Sequence, residues 1–341
     1  MNPYTLVIII FSLILGTLTA TSSHHWMLAW LGLEINTLAI IPLMLKHPHP
    51  RAIEAATKYF LTQASASAMI LFSCTITAWT HGEWTITSTM TTTPMNLLTI
   101  AIMMKLGVAP FHFWMPDVLQ GLTLPTGLML STWQKLPPVA LLLQFSQSTD
   151  LELLMTTGLL STIIGGWGGI NQTQIRKILA YSSIAHLGWM MVVLKASPQL
   201  ALLNFLLYVV ITSTLFLALT SINTKNMLEM MLAWSKTPSL TALTILTLLS
   251  LSGLPPLTGF LPKWMITQEM IKQHLTLLTS LMLLSTLLSL FFYLRLSYTM
   301  SLTLAPNLSL SSSTWLHHTK TITAIPITLS LFILPTYPLI M

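Results

Sequence analysis

The sequence predicts an all-α polytopic membrane protein. Three observations carry that prediction: charge is scarce in a long apolar chain, about eleven apolar segments are long enough to cross a bilayer, and two of them carry similar Gly/Pro interruptions. Of 341 residues, 53% are hydrophobic and 6% charged, with a mean hydropathy of +0.76. Ordinary soluble domains carry about 25% charged residues. A soluble fold of this length has too few charges here to cover its surface, and lipid as the outer solvent removes the difficulty. The net charge of +6 comes from 14 basic and 8 acidic residues. That is too sparse for a nucleic-acid footprint. Cys74 is the single cysteine, so this chain alone builds no disulfide framework, Cys-ligated zinc site or iron–sulfur cluster.

The segments follow in order at about 3–21, 25–45, 55–79, 95–117, 123–145, 150–171, 177–195, 199–221, 239–268, 275–298 and 322–340. Each is compatible with roughly 30 Å of hydrocarbon. Met1-Asn2-Pro3-Tyr4 lacks the basic region of a signal peptide and the Arg/Ser-rich character of an import sequence, so the first run reads as a retained span. The separators are Lys46-His-Pro-His-Pro-Arg51, the Thr-rich stretch 85–93 and the polar segment 299–320. None is long enough for an extramembrane domain. Alternating the loops places Lys46, Arg51, Lys58, Arg176, Lys177, Lys225, Lys236, Arg295 and Lys320 on one side, and Lys195 and Lys272 on the other. The positive-inside rule expects such an asymmetry and puts the N-terminus on the positive side.

Lys105, Lys135 and Lys263 remain, each within an apolar span, and Glu34 joins them near the middle of the second. A charge at the bilayer centre costs at least about 2.5–3.5 kcal/mol. Four such residues read either as snorkelling side chains and structural ion pairs, or as a protonatable path. A lysine exchanges protons readily only where desolvation weakens its hold on them. Lys135 is expected to be buried with few formal charges around it. Glu34 and Lys105 are expected to interact, directly or through water.

The two interruptions are Lys105-Leu-Gly107-Val-Ala-Pro110-Phe-His112-Phe-Trp-Met-Pro116-Asp117 and Ser252-Gly253-Leu-Pro255-Pro256-Leu-Thr-Gly259-Phe-Leu-Pro262-Lys263-Trp264. Proline removes a helix donor and glycine relaxes the backbone. Such breaks survive in a membrane where they face protein or water. In corresponding halves of a chain they point to an inverted-repeat transporter, whereas one alone reads as an ordinary proline kink. His186 lies near mid-span and His112 inside the first interruption. Each reads either as a proton relay or as a histidine hydrogen-bonded to a neighbour. Gly165-Gly-Trp-Gly-Gly169 lacks the strand–turn–helix context of a nucleotide loop and reads as close helix packing. Nucleophile-elbow and zinc-hydrolase motifs are absent.

These motifs, with Trp30-Leu-Gly-Leu-Glu34-Ile-Asn36, Trp133-Gln-Lys135-Leu-Pro137 and Arg176-Lys-Ile-Leu-Ala180-Tyr-Ser-Ser-Ile-Ala-His186, resemble the subunit 2 family of vertebrate mitochondrial NADH:ubiquinone oxidoreductase, respiratory complex I. The resemblance spans essentially the whole chain. It implies two inverted five-helix antiporter-like repeats at about 1–147 and 150–300, each with a broken helix, then a polar linker and C-terminal helix at 301–341. It implies a membrane-arm subunit of NADH:ubiquinone reductase (H⁺-translocating) in the mitochondrial inner membrane, with its N-terminus in the matrix and its C-terminus in the intermembrane space. Partners would be other membrane-arm and accessory subunits and membrane lipids. FMN, iron–sulfur clusters and ubiquinone would sit in other subunits, with no cofactor in this chain. The family's proton path maps onto Glu34 and Lys105 as a pair, Lys135 as central relay and Lys263 in the second half, with His112 and His186 along the axis. Lys105 precedes its break whereas Lys263 follows its own, and the second repeat lacks a Glu34 counterpart, which departs from strict symmetry. A stand-alone cation/proton antiporter and a purely structural arm subunit are the competing functions.

Overall fold

The computed structural model describes residues 2–86, 91–302 and 324–332. Among them every regular element is helical, and the chain divides into two compact units, Met1–Leu160 and Ser161–Met341. The first unit contains α1 (Pro3–Ser22), α2 (Trp26–Met44), α3 (Pro50–His81), α4 (Thr92–Leu106), α5 (Trp114–Gly121), α6 (Leu124–Ser131), a 3-10 turn at Trp133–Lys135, and α7 (Leu136–Gln144). The helix α8 (Leu151–Ile170) begins in it and ends in the second unit. The second unit continues with α9 (Ile175–Val193), α10 (Pro198–Ile222), α11 (Met227–Lys236), α12 (Pro238–Ser252), α13 (Phe260–Lys272), α14 (Thr276–Leu302) and α15 (Ala324–Phe332).

Proline opens α1, α3, α10 and α12, where its missing N–H is one of the helix's orphan donors and costs nothing. Hydroxyls inside the apolar helices return to their own backbone. Thr244, Thr247 and Ser250 each donate to the carbonyl three residues back, at 2.7–2.9 Å. In hydrocarbon, which offers no water to bond, that is how a serine or threonine is satisfied. Six of the described helices are long and apolar enough to cross a membrane: α1, α2, α3, α8, α10 and α14. Outward faces are apolar, as lipid contact requires: Phe11 is 64% exposed and Trp79 90%. At 32 residues, α3 extends about 48 Å, so its ends project past the hydrocarbon.

Within the first unit α1 and α2 pack at backbone contact. A Cβ on Gly32 would stand 2.6 Å from Ala20 N, so only glycine permits the approach. The Asn36 amide extends from α2 to the Leu13 carbonyl (2.9 Å) and the Thr17 N–H (3.1 Å) of α1. In the second unit Gly165 lies against the Ala185 backbone, the packing role expected of the Gly-Gly-Trp-Gly-Gly run.

Both expected interruptions are present. Each is a seven-residue non-helical segment, 107–113 and 253–259. Each begins with a left-handed glycine, Gly107 at φ 74° and Gly253 at φ 81°, the conformation that ends a helix without Cβ strain. Each also contains one cis X–Pro peptide, Ala109–Pro110 and Pro255–Pro256. Two features depart from the sequence expectation. The segment 123–145 is not one helix: it breaks at the 3-10 turn 133–135, because Pro137 and Pro138 cannot donate to the carbonyls of Trp133 and Gln134. The polar-looking stretch 222–238 contains a helix, α11, with Leu228 and Leu232 exposed on one face. Lys320, most of the segment 299–320 and the end of the last expected span lie outside the described residues.

Candidate proton path

The site in the first unit forms around the end of α4. A helix end leaves carbonyls without intrahelical partners. Here the Gly107 N–H donates to Met103 and Met104 O, Trp114 Nε1 donates to Met104 O (3.2 Å), and Gln63 Nε2 on α3 donates to Lys105 O (3.4 Å). Opposite, Gln134 Nε2 donates to Asn36 O on α2 (3.4 Å). Trp30 Nε1 donates to Ser67 O (3.1 Å), which ties α2 to α3 one turn before Glu34.

Trp114, Gln63 and Gln134 help wall a cavity of about 20 Å³ lined by both Lys105 and Lys135, with Asn36, Thr37 and Tyr59 also among its polar neighbours. A water needs roughly 10–15 Å³ of such space and two to four polar partners, so the cavity suits one or two waters. Lys105 is 6% and Lys135 3% exposed. Lys105 Nζ and Glu34 Oε2 are both buried with no hydrogen-bond partner among the described residues. The Glu34 carboxylate is within electrostatic reach of Lys105 and of Tyr59, but no ion pair within 4.0 Å joins it to the lysine. The expected pair is therefore near but open. His112 lies in the break, 5% exposed, with Nδ1 3.2 Å from Pro110 O and its ring against Phe113.

In the second unit Lys263 follows its break, yet its ammonium reaches back to α12 and donates to Ser252 O at 2.7 Å. Lysine at a helix C-terminus meets both the unpaired carbonyl and the negative end of the macrodipole. Lys105 likewise lies in the last turn of α4. The two lysines differ in sequence position: Lys105 lies in the last turn of the helix before its break, whereas Lys263 reaches back from beyond its own break to the end of α12. Lys263 and His186 line one small cavity with Trp189, Ser289 and Tyr293, and the His186 ring packs at a tilt against Tyr208, centroids 5.7 Å apart. Among the described residues no acidic side chain lines it. Among the described residues no cluster of metal-ligating side chains is present.

Gln63, Tyr59 and Tyr293 do not stand out in the sequence, and Asn36 and Gln134 appear there only within motifs. Neutral polar and aromatic residues carry no formal charge and so do not mark themselves as a mid-span lysine or glutamate does.

Residues 23–289 match the family described as NADH:quinone oxidoreductase/Mrp antiporter, transmembrane, and residues 290–341 match NADH dehydrogenase subunit 2 C-terminus. NADH-ubiquinone oxidoreductase chain 2 of Aquarana catesbeiana is 59% identical over 340 residues, 99% of this chain and 98% of that protein. The Xenopus laevis chain 2 is 58% identical, covering 99% of each. A chain of the structure of respiratory complex I from Thermus thermophilus with bound aureothin superposes with a TM-score of 0.84 at 26% identity, covering 98% of this chain and 80% of that one. A chain of the Mrp complex from Dietzia sp. shares the fold at a TM-score of 0.83 and 15% identity, over 97% of this chain and 75% of that one. By identity along its whole length, this chain belongs to the NADH-ubiquinone oxidoreductase chain 2 family, within the NADH:quinone oxidoreductase/Mrp antiporter group.

Proposed function

We propose that this chain is a core membrane-arm subunit of a proton-pumping NADH:ubiquinone oxidoreductase and supplies one of its proton-translocation paths. The observation that carries the residue-level reading is the buried, unpartnered Lys105 ammonium beside a water-sized cavity that also touches Lys135. An unpaired buried charge is expensive and persists where it has work to do. Quinone reduction elsewhere supplies the energy. Moving one charge against 100 mV costs about 2.3 kcal/mol, within range of one buried ion pair forming and separating.

In this reading Glu34 and Lys105 are the coupled pair. When the carboxylate approaches, it stabilises the ammonium; when it withdraws, the buried charge loses that support and its proton passes to the cavity. Lys135 takes up the proton. Lys263, held by Ser252 O, and His186 form the corresponding station in the second unit. His112 lies along the axis of the first. The two seven-residue breaks, each opened by a left-handed glycine, support two antiporter-like repeats at 1–147 and 150–300 followed by the segment 301–341. The subunit resides in the mitochondrial inner membrane as a multi-pass protein among other complex I subunits and lipids, N-terminus in the matrix and C-terminus in the intermembrane space. FMN, iron–sulfur clusters and ubiquinone belong to other subunits.

The test is a double-mutant cycle on assembled complex in proteoliposomes, reading protons moved per NADH. Glu34→Gln and Lys105→Met should each lower the ratio, and the double variant should lose less than the sum. Independent, fully additive losses would sink the coupled pair. Lys105→Met at an undiminished ratio would sink the path.

A further inference from the structure

A second polar space lies beside the first unit's cavity. Arg51, Glu54 and Lys58 on α3, and Asp117 and Gln120 on α5, line a recess of about 120 Å³. It is open: Glu54, Lys58 and Asp117 side chains are 61%, 42% and 47% exposed. It has room for several waters. Lys58 bridges its walls, 2.7 Å from Glu54 and 2.8 Å from Asp117.

The two spaces follow one another along α3. Ala55 and Lys58 line the recess, whereas Tyr59 and Gln63 line the lysine cavity. Ala55 to Tyr59 is one helical turn, about 6 Å. An aromatic pair lines the lysine cavity next to residues that line the recess, Tyr59 beside Lys58 on α3 and Trp114 three residues before Asp117 on α5. Tyr59 is 2% exposed, and its ring meets Trp114 of α5 edge-on at 5.7 Å. Trp114 also lines the lysine cavity. An apolar constriction of this kind closes a water path by dewetting.

We infer that Tyr59 and Trp114 form the gate between an aqueous vestibule at Arg51–Gln120 and the Lys105–Lys135 cavity, so that protons reach the lysines through this side of the first unit. Both moving parts belong to one element. α5 carries Trp114 and, three residues on, Asp117, which places the gate and the Lys58 tether on one short helix hinged at the 107–113 break. Displacing α5 from α3 separates the rings and loosens the ion pair together. In the resting geometry both contacts are made and the gate is shut. The inference rests on the proton-path reading above and adds its access side and barrier.

The experiment uses assembled complex in proteoliposomes. Protons per NADH are measured as the opposing membrane potential is raised, each variant normalised to its own value at zero potential. Tyr59→Ala removes the barrier ring, and Tyr59→Phe retains it without the hydroxyl. With an open gate, loaded protons slip back, so the Tyr59→Ala ratio should fall at least twofold more steeply with potential than that of Tyr59→Phe. Equal slopes for the two variants overturn the gate. Should Tyr59→Ala not assemble, Trp114→Leu against Trp114→Phe repeats the comparison from the other half of the pair. Lys105→Met in parallel separates the two readings. A lowered ratio there with equal tyrosine slopes overturns the gate alone, whereas a full ratio there removes the path and the gate with it.

Discussion

Gly253→Ala should disable Lys263 without replacing it. Gly253 has φ 81°, and a Cβ there would stand 2.8 Å from Lys263 Nζ. The clash is relieved cheaply because Nζ is the end of a flexible chain, but the relief moves the ammonium off Ser252 O, to which it donates at 2.7 Å. Two costs follow. Alanine in the left-handed region costs roughly 1–2 kcal/mol. A hydrogen bond from a charged donor contributes about 1.5–3 kcal/mol, and its lower end applies because Lys263 is only part-buried. Together they come to about 3 kcal/mol. The first share lowers stability alone. The second removes the docked ammonium and slows any step that needs it by about tenfold. Proton translocation by assembled complex in proteoliposomes is the assay, with Gly253→Ala, Lys263→Met and the double variant compared. Gly253→Ala should reproduce most of the Lys263→Met loss, and the double variant should be no worse than Lys263→Met. Full translocation by assembled Gly253→Ala complex, or losses that simply add, would refute the docking argument.

Other expectations are more direct. Lys135→Met should leave the complex assembled by native electrophoresis while slowing proton delivery through this subunit tenfold or more, about 1.4 kcal/mol of barrier; normal stoichiometry would exclude the relay. Arg295 donates to Ile170 O at 2.5 Å and to Gln172 O, closing the end of α8; Arg295→Met should destabilise the second unit by about 3 kcal/mol, seen as faster limited proteolysis near residue 170, and Arg295→Lys should recover part of it. Gly32→Leu should separate α1 from α2, since even a Cβ meets Ala20 N at 2.6 Å; a loss of several kcal/mol should appear as reduced subunit accumulation. Side-specific labelling should find Lys46, Arg176, Lys177 and Lys320 on one face of the membrane; Lys46 and Lys320 on opposite faces would overturn the span count.

Much of this protein is legible in its amino-acid sequence. Scarcity of charge requires lipid outside. The two Gly/Pro runs require breaks, because a missing N–H and a left-handed glycine act on the backbone where they stand. Glu34, Lys105, Lys135 and Lys263 stand out because a charge in hydrocarbon carries a penalty large enough to read residue by residue. The interruption at Pro137-Pro138 obeys the same backbone rule, but no glycine accompanies it to mark the break.

What only the tertiary structure decided is which side chains meet. The sequence places Lys105 before one break and Lys263 after the other, yet the Lys263 ammonium returns to the helix end before its break, while Lys105 Nζ meets no hydrogen-bond partner among the described residues. Glu34 and Lys105 approach without pairing. Tyr59 lines the lysine cavity one helical turn from Ala55 of a second polar recess, and Gln63 and Gln134 donate to carbonyls far away in sequence. The physical reason lies in the solvent. In water, a helix marks its inner face by apolar periodicity. In lipid both faces are apolar, and helices such as α2 and α4 have almost no amphipathic character. Hydropathy therefore determines that a segment spans, and packing alone determines which way its few polar groups face.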